Sequence, residues 1–315
     1  MQTPCFKLKK GISVVMKINE KWRKILMMVM ALILLVSVGK ILFILVEQAK
    51  ENQAFHELSQ QVSQKNLEMA EDISGPEADS SAVEKIQKIT EDTAQLSAED
   101  VQIVLPPVLT AMKTDTETGI LMPYLDLYKE NEDFFGWIRI PDTKVDYPVM
   151  FTPEDPEYYI HRDFKKEDSK NGTPFLDAAY TEEGNLYIVY GHHMKNRTMF
   201  GSLPFYEKEE YWKQHPYILF NTLYEQGIYE IVSVFYSKIY RDDEEGFRYY
   251  QYKSLQDEEI FDNFNKGIQK SALYDTGVQL SYGDSVLLLS TCSYHTDEGR
   301  FVVVARKMKN EVIQK

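Results

Sequence analysis

The distribution of apolar positions divides the chain into three unlike stretches. The first apolar run, residues 25–46, reads ILMMVMALILLVSVGKILFILV and is interrupted only by Ser37, Gly39 and Lys40. A helix of that length spans roughly 33 Å at about 1.5 Å per residue, enough for the hydrocarbon core of a bilayer. Lys40 lies towards the C-terminal end of the run, where its amine can snorkel to the interface. The run is long for the apolar region of a cleaved signal, and no small-x-small cleavage site comes after it. An uncleaved transmembrane anchor over 25–46 is therefore expected.

From Glu47 to about Thr118 the sequence is polar and acidic. Residues 52–70 and 82–96 have helical spacing, and Ser74-Gly75-Pro76 and Asp79-Ser80-Ser81 interrupt them. A helical or flexible stalk over 47–120 is the expectation, holding the C-terminal part of the chain away from a membrane. The texture changes at Tyr124. A short helix is expected over 124–131, and after it short β-rich runs punctuated by turns: 135–140, 145–149, 158–164, 172–177, 186–190, 217–221, 228–240, 285–291 and 301–306. Helical patches fit 207–214 and 255–270. Many short strands with few helices predict an all-β barrel or sandwich carrying helical insertions, in a folded domain over 121–315.

Charge adds a direction to this layout. The 315 residues carry a net charge of −14. Residues 1–24 hold seven lysines and arginines against Glu20, a net of +6, which leaves −20 for the remainder. Basic residues ahead of an apolar span predict a cytoplasmic tail over 1–24, with everything after the span outside the cell. Met16 is a second possible start. The acidic main body argues against a nucleic-acid partner, since binding phosphates needs a basic face. The two cysteines, Cys5 and Cys292, fall on opposite sides of the span, so Cys292 becomes the lone exported thiol.

Cys292 ends the apolar run Leu287-Leu288-Leu289-Ser290-Thr291, and Arg300 opens a β-branched run on the far side of a short polar loop. Two strands joined by such a loop form a hairpin, placing Cys292 and Arg300 together at one end of a sheet. Positive charge beside a thiol favours the thiolate, the nucleophilic form. On this stretch alone a buried cysteine and a surface arginine fit equally well. A thiolate nucleophile also needs a proton donor for its leaving group, and histidine is the usual one. Of the six histidines, His56 lies in the stalk, while His161 and His215 read as packing or surface residues. His295 lies in the loop between Cys292 and Arg300, a poor platform for an acid/base but close enough to line a site. His192 and His193 come directly after a clean strand and Gly191, in a rigid setting. Adjacent side chains on a strand point apart, and no further ligand cluster is visible, so no metal is expected.

Taken together, Tyr190-Gly191-His192-His193-Met194, Leu289-Ser290-Thr291-Cys292 and Arg300-Phe301-Val302-Val303 resemble the sortase family. Leu288 stands where the family often has a threonine, a departure that touches none of the three key positions. Residues 131–138 with Ile140-Pro141, residues 145–149, Tyr158-Tyr159, Asp177, Met199-Phe200 and the helical stretch 255–270 are similar to class B members. The resemblance covers about residues 120–308. It implies an eight-stranded β-barrel, with Cys292 as nucleophile, His192 as general acid/base and Arg300 as the residue that binds substrate and stabilises the oxyanion. Thr291, His193 and His295 are lesser candidates for lining the substrate site. The implied reaction cleaves a C-terminal sorting signal of exported proteins at a Thr carbonyl and joins it, through a thioacyl-enzyme, to an amine of a peptidoglycan precursor (lipid II) or a pilin. No cofactor is implied.

Two other readings use the same residues differently. A cell-surface cysteine protease or amidase would pass the acyl group to water, although no papain-like Cys-Gly-Ser-Cys-Trp run occurs. A non-catalytic surface-binding domain would hold Cys292 as a core residue. The sorting motif and the acceptor amine are not legible.

Overall fold

The computed structural model describes residues 20–73, 104 and 111–309. Cys5, most of the expected basic tail and the helical stretch expected over 82–96 lie outside the described residues. The first element, α1 (Glu20–Ile73), is a single helix. Every side chain from 20 to 46 is exposed, and residues 25–46 of this helix are almost wholly apolar. By length and composition this helix can cross a membrane.

The chain from Glu51 onward forms a second compact unit, built on a closed barrel. Its elements in chain order are α2 (Met122–Glu130), β1 (Phe134–Arg139), β2 (Asp146–Met150), β3 (Phe175–Leu176), β4 (Leu186–Tyr190), α3 (Glu209–Gln214), β5 (Tyr217–Thr222), β6 (Ile228–Lys238), α4 (Glu258–Ser271), β7 (Val286–Cys292) and β8 (Gly299–Lys307). The strands close in the order β1-β2-β3-β4-β7-β8-β6-β5. Among the described strands, the β2–β3 and β4–β7 pairs are parallel and the others antiparallel.

The apolar run at β7 is explained by burial on both faces. Leu287 and Leu289 point into the main core inside the barrel, while Val286 and Leu288 join a second core outside it. β8 alternates in the same way, with Phe301, Val303 and Ala305 on one side and Val302 and Val304 on the other. The second core is covered by Phe261, Phe264 and Ile268 of α4, whose N-terminus is capped by the Asp257 carboxylate accepting from the Ile260 N–H. Two central strands are thereby fixed from both sides, and β7 ends at the same edge of the barrel where β8 begins.

Two expectations need correction. Residues 158–164 do not form a strand. Tyr158–His161 is a 3₁₀ turn, because the turn that includes Pro156 bonds locally: the Tyr158 N–H donates to Asp155 O at 3.0 Å and the Ile160 N–H to Glu157 O at 3.0 Å. The segment read as a stalk is also not a free spacer over its first part. Phe55, Leu58 and Val62 of α1 lie on one helical face and are buried in the main core. Ser59 donates to Asp146 Oδ2 at 2.6 Å, and Lys65 pairs with Asp126. Three apolar residues in a polar helix gave too sparse a signal to mark that face beforehand.

Candidate active site

Strands β4 and β7 run parallel in strict register, from Leu186 opposite Val286 to Tyr190 opposite Ser290. Each chain continues two residues further, to His192 and Cys292. The continuation is sealed by Gly191 N–H donating to Ser290 O at 3.2 Å and by the Thr291 hydroxyl donating to Gly191 O at 2.7 Å. On the other side of β7 the hairpin to β8 pairs Cys292 directly with Arg300. His192, Cys292 and Arg300 thus reach one rim of the barrel from three adjacent strand ends.

They open onto a cleft of about 460 Å³. Thr291 lines it as well, together with Tyr190, Ser290 and Asp177. Cys292 is an exposed free thiol. The Arg300 guanidinium is largely sheltered and donates to Glu298 O at 3.2 Å and Gly299 O at 3.0 Å; the Glu298 carboxylate stands at 3.7 Å. Two short hydrogen bonds stiffen the floor of the cleft. The Tyr190 hydroxyl donates to Asp177 Oδ2 at 2.8 Å, and the hydroxyls of Tyr249 and Ser290 meet at 2.7 Å.

Burial dominates the electrostatics. It pulls the His192 imidazole below its ordinary value, with the Ile160 carbonyl working against the shift and the neighbouring His161 working with it. Burial also pushes the Tyr249 hydroxyl up to about 12 and that of Tyr190 well above the usual tyrosine range.

The other sequence candidates are placed differently. His193 Nδ1–H donates to the Cys292 carbonyl at 2.9 Å, and its ring sits 5.3 Å from that of Tyr294. His295 Nδ1 bonds the Ser293 hydroxyl at 2.9 Å and packs on Tyr236. Neither histidine lines the cleft. His161, read as a packing or surface residue, packs here: it stacks on His192 with ring centroids 5.6 Å apart. Tyr190 and Ser290 were missed although a signal existed: each precedes a site residue by two positions, the same-face spacing of a strand. Among the described residues, no three His, Cys, Asp or Glu side chains converge on a metal-binding geometry.

Comparison with known proteins gives the family. A family model described as the sortase domain matches residues 138–308. Sortase B of Listeria monocytogenes is 32% identical over 184 residues, covering 56% of this chain and 71% of that protein. Sortase B of Staphylococcus aureus is 29% identical over 188 residues, covering 58% and 73%. Among solved structures, sortase B from Bacillus anthracis in complex with AAEK1 aligns with a TM-score of 0.53 at 31% identity, over 63% of this chain and 89% of that one. A Staphylococcus aureus sortase B–substrate complex aligns with a TM-score of 0.59 over 84% and 99%, at 20% identity, a likeness of fold. With the family model matching over half its length, and with class B relatives of this similarity, the chain belongs to the sortase family of cysteine transpeptidases, within class B.

Proposed function

We propose that this chain cleaves a C-terminal sorting signal of exported proteins and transfers the new acyl end to an amine. Cys292 is the nucleophile. Its thiolate attacks a Thr carbonyl of the signal, and Arg300 supplies fixed positive charge where the oxyanion develops. His192 takes up the thiol proton and delivers it to the departing amine as the C–N bond breaks. This leaves a thioacyl-enzyme on Cys292 Sγ. An incoming amine attacks the thioester, gives its proton to His192, and expels the thiolate as the new amide forms. The acceptor is an amine of the peptidoglycan precursor or of a pilin. Thr291 acts through its bond to the Gly191 carbonyl, which ties the His192 and Cys292 strand ends together.

The single observation that carries this reading is the register. The parallel β4–β7 pair and the β7–β8 hairpin bring histidine, cysteine and arginine to one cleft from distant parts of the sequence. The apolar stretch of α1 serves as an anchor, with residues 1–24 cytoplasmic and the barrel outside. Tethering raises the local concentration of substrates that also sit at the outer membrane face.

The test incubates the protein with a panel of Thr-containing sorting peptides, with and without an amine acceptor. Amine-dependent product that disappears in Cys292→Ala supports the proposal. Hydrolysis that no amine diverts identifies a protease, and turnover retained by Cys292→Ala overturns the assignment of the nucleophile.

A further inference from the structure

The turn Tyr158–His161 is held with more care than a surface connection needs. Tyr159 is fully buried; its hydroxyl donates to Asp133 Oδ2 and accepts from Asn131 Nδ2, both at 2.8 Å. Its carbonyl accepts the Thr173 N–H at 3.0 Å, and the His161 carbonyl accepts the Ser169 N–H at 2.9 Å. Between these two anchored carbonyls, that of Ile160 turns to the active site and accepts from His192 Nε2 at 2.7 Å. Gly172 backs it with φ +59°. A Cβ at that position would stand 2.4 Å from the Ile160 oxygen, so only glycine lets the carbonyl lie where it does. The His161 ring lies 21° from parallel to that of His192.

A carbonyl oxygen can only accept a hydrogen bond. The nitrogen that faces it must carry a proton in both charge states of the imidazole, which leaves Nδ1 as the atom that gains and loses one. We propose that the Tyr158–His161 turn is the positioning element of the acid/base: the Ile160 carbonyl, seated by Gly172, fixes His192 with Nε2 protonated and Nδ1 as the exchanging nitrogen, and the His161 ring holds the imidazole plane and moderates its charge. The proposal rests on reading His192 as the acid/base, and it adds His161 and Gly172 as positioning residues. No covalent step is added. The proton taken from Cys292 and returned to the leaving amine passes through Nδ1, while the Nε2 proton stays on the carbonyl.

Other charges around the pair are accounted for. Glu157, Asp177, Tyr190, Tyr250 and Arg300 line the same cleft, together with Cys292. Arg162, next to His161, lies over the Tyr158 ring and pairs with Asp168 at 3.5 Å. His161 is the charged neighbour stacked directly on His192, and it works against the imidazolium of His192.

The test uses the full chain in detergent micelles with ring-¹⁵N histidine, and a sorting peptide that the native protein turns over. Native His192 should keep a protonated Nε2 across the titration and gain its second proton at Nδ1. Gly172→Ala should lose the protected Nε2–H signal and lower kcat about tenfold, with KM little changed. His161→Gln and His161→Phe should both raise the His192 titration midpoint by a few tenths of a pH unit, as expected when a like charge at this range is removed. His161→Phe should retain more kcat than His161→Gln, because it keeps a stacking ring. Titration of His192 at Nε2 overturns the proposal, as does an unchanged midpoint in both His161 variants. If Gly172→Ala does not fold, the two His161 variants and the native spectrum still decide. Failure of the underlying site reading looks different: His192→Ala would keep full turnover, or Cys292 in the native chain would resist iodoacetamide.

Discussion

Tyr190 and Ser290 face each other across the parallel β4–β7 pair, and each stands two residues before a member of the proposed site, His192 and Cys292. Their hydroxyls take opposite partners, Asp177 for Tyr190 and Tyr249 for Ser290. The floor of the cleft is therefore a pair of tethered strand ends, and the site residues inherit its rigidity. Tyr190→Phe removes the donor from Asp177 Oδ2 while keeping the ring. The expected result is a loss of about 1–2 kcal/mol of stability in denaturant titration and a fall in kcat/KM of about tenfold. Ser290→Ala leaves a buried Tyr249 hydroxyl without its partner and should behave similarly. Unchanged kinetics in both variants would show that the floor is not what positions His192 and Cys292.

Arg300 is held by carbonyls rather than by a strong ion pair. Its Nη1 donates to both the Glu298 and Gly299 carbonyls, with the Glu298 carboxylate 3.7 Å from Nη2. Much of its charge is available to the cleft. Lysine offers a compact point charge on a flexible stem and lacks the planar guanidinium that can hold two carbonyls with one nitrogen and turn the others to the proposed oxyanion. Arg300→Lys should lower kcat/KM by about 10²-fold or more, with the melting temperature nearly unchanged. Steady-state kinetics beside a thermal melt separates this from a folding defect.

Much of the barrel was legible because its strands are short, strongly patterned and bounded by turn residues. The two central strands were legible for a second reason: burial on both faces leaves a continuous apolar run at β7 and a β-branched run at β8. The Cys292–Arg300 pairing came from the hairpin alone. The β4–β7 neighbourhood did not, because a parallel pair joins segments a hundred residues apart and nothing local encodes it. The place of His161 beside His192 was not legible for a related reason: a 3₁₀ turn carries no periodicity, and the position of the ring depends on the tertiary anchors of Tyr159 and Gly172. The packing of α1 on the barrel was invisible because the contact uses only three apolar side chains over two turns of helix.

That packing has a measurable consequence. Phe55 is 4% exposed and meets the Tyr147 ring edge-on at 5.5 Å. Close by, Asp146 accepts from both Trp137 Nε1 at 2.7 Å and Ser59 Oγ at 2.6 Å. Residues 55–62 of α1 thus belong to the folded unit of the barrel. Phe55→Ala should cost about 3–5 kcal/mol. A barrel that begins at residue 75 should melt at a distinctly lower temperature than one that begins at residue 51. Equal stability of the two would mean that the helix rests on the barrel without contributing to it.

The depressed imidazole of His192 makes folding stability depend on pH, and the sign is set by which state binds more protons. The group titrates below its ordinary value of 6.5 in the folded chain, because burial disfavours the imidazolium. Between that lowered folded value and 6.5 the unfolded chain holds the extra proton, so unfolding takes up protons and stability rises with pH. The contribution of His192 is complete above about pH 6.5 and is lost as the pH falls towards the folded value. His192→Gln keeps a polar side chain without a titration, so it should be less sensitive to acidification than the native chain over this window. Melting temperatures of both proteins measured from pH 7.5 down to about pH 5 provide the check. Parallel curves would mean that His192 is not depressed in the folded protein; a native curve that falls more steeply below pH 6.5 would mean that the neutral imidazole is the form built into the resting site, ready to accept the proton of Cys292.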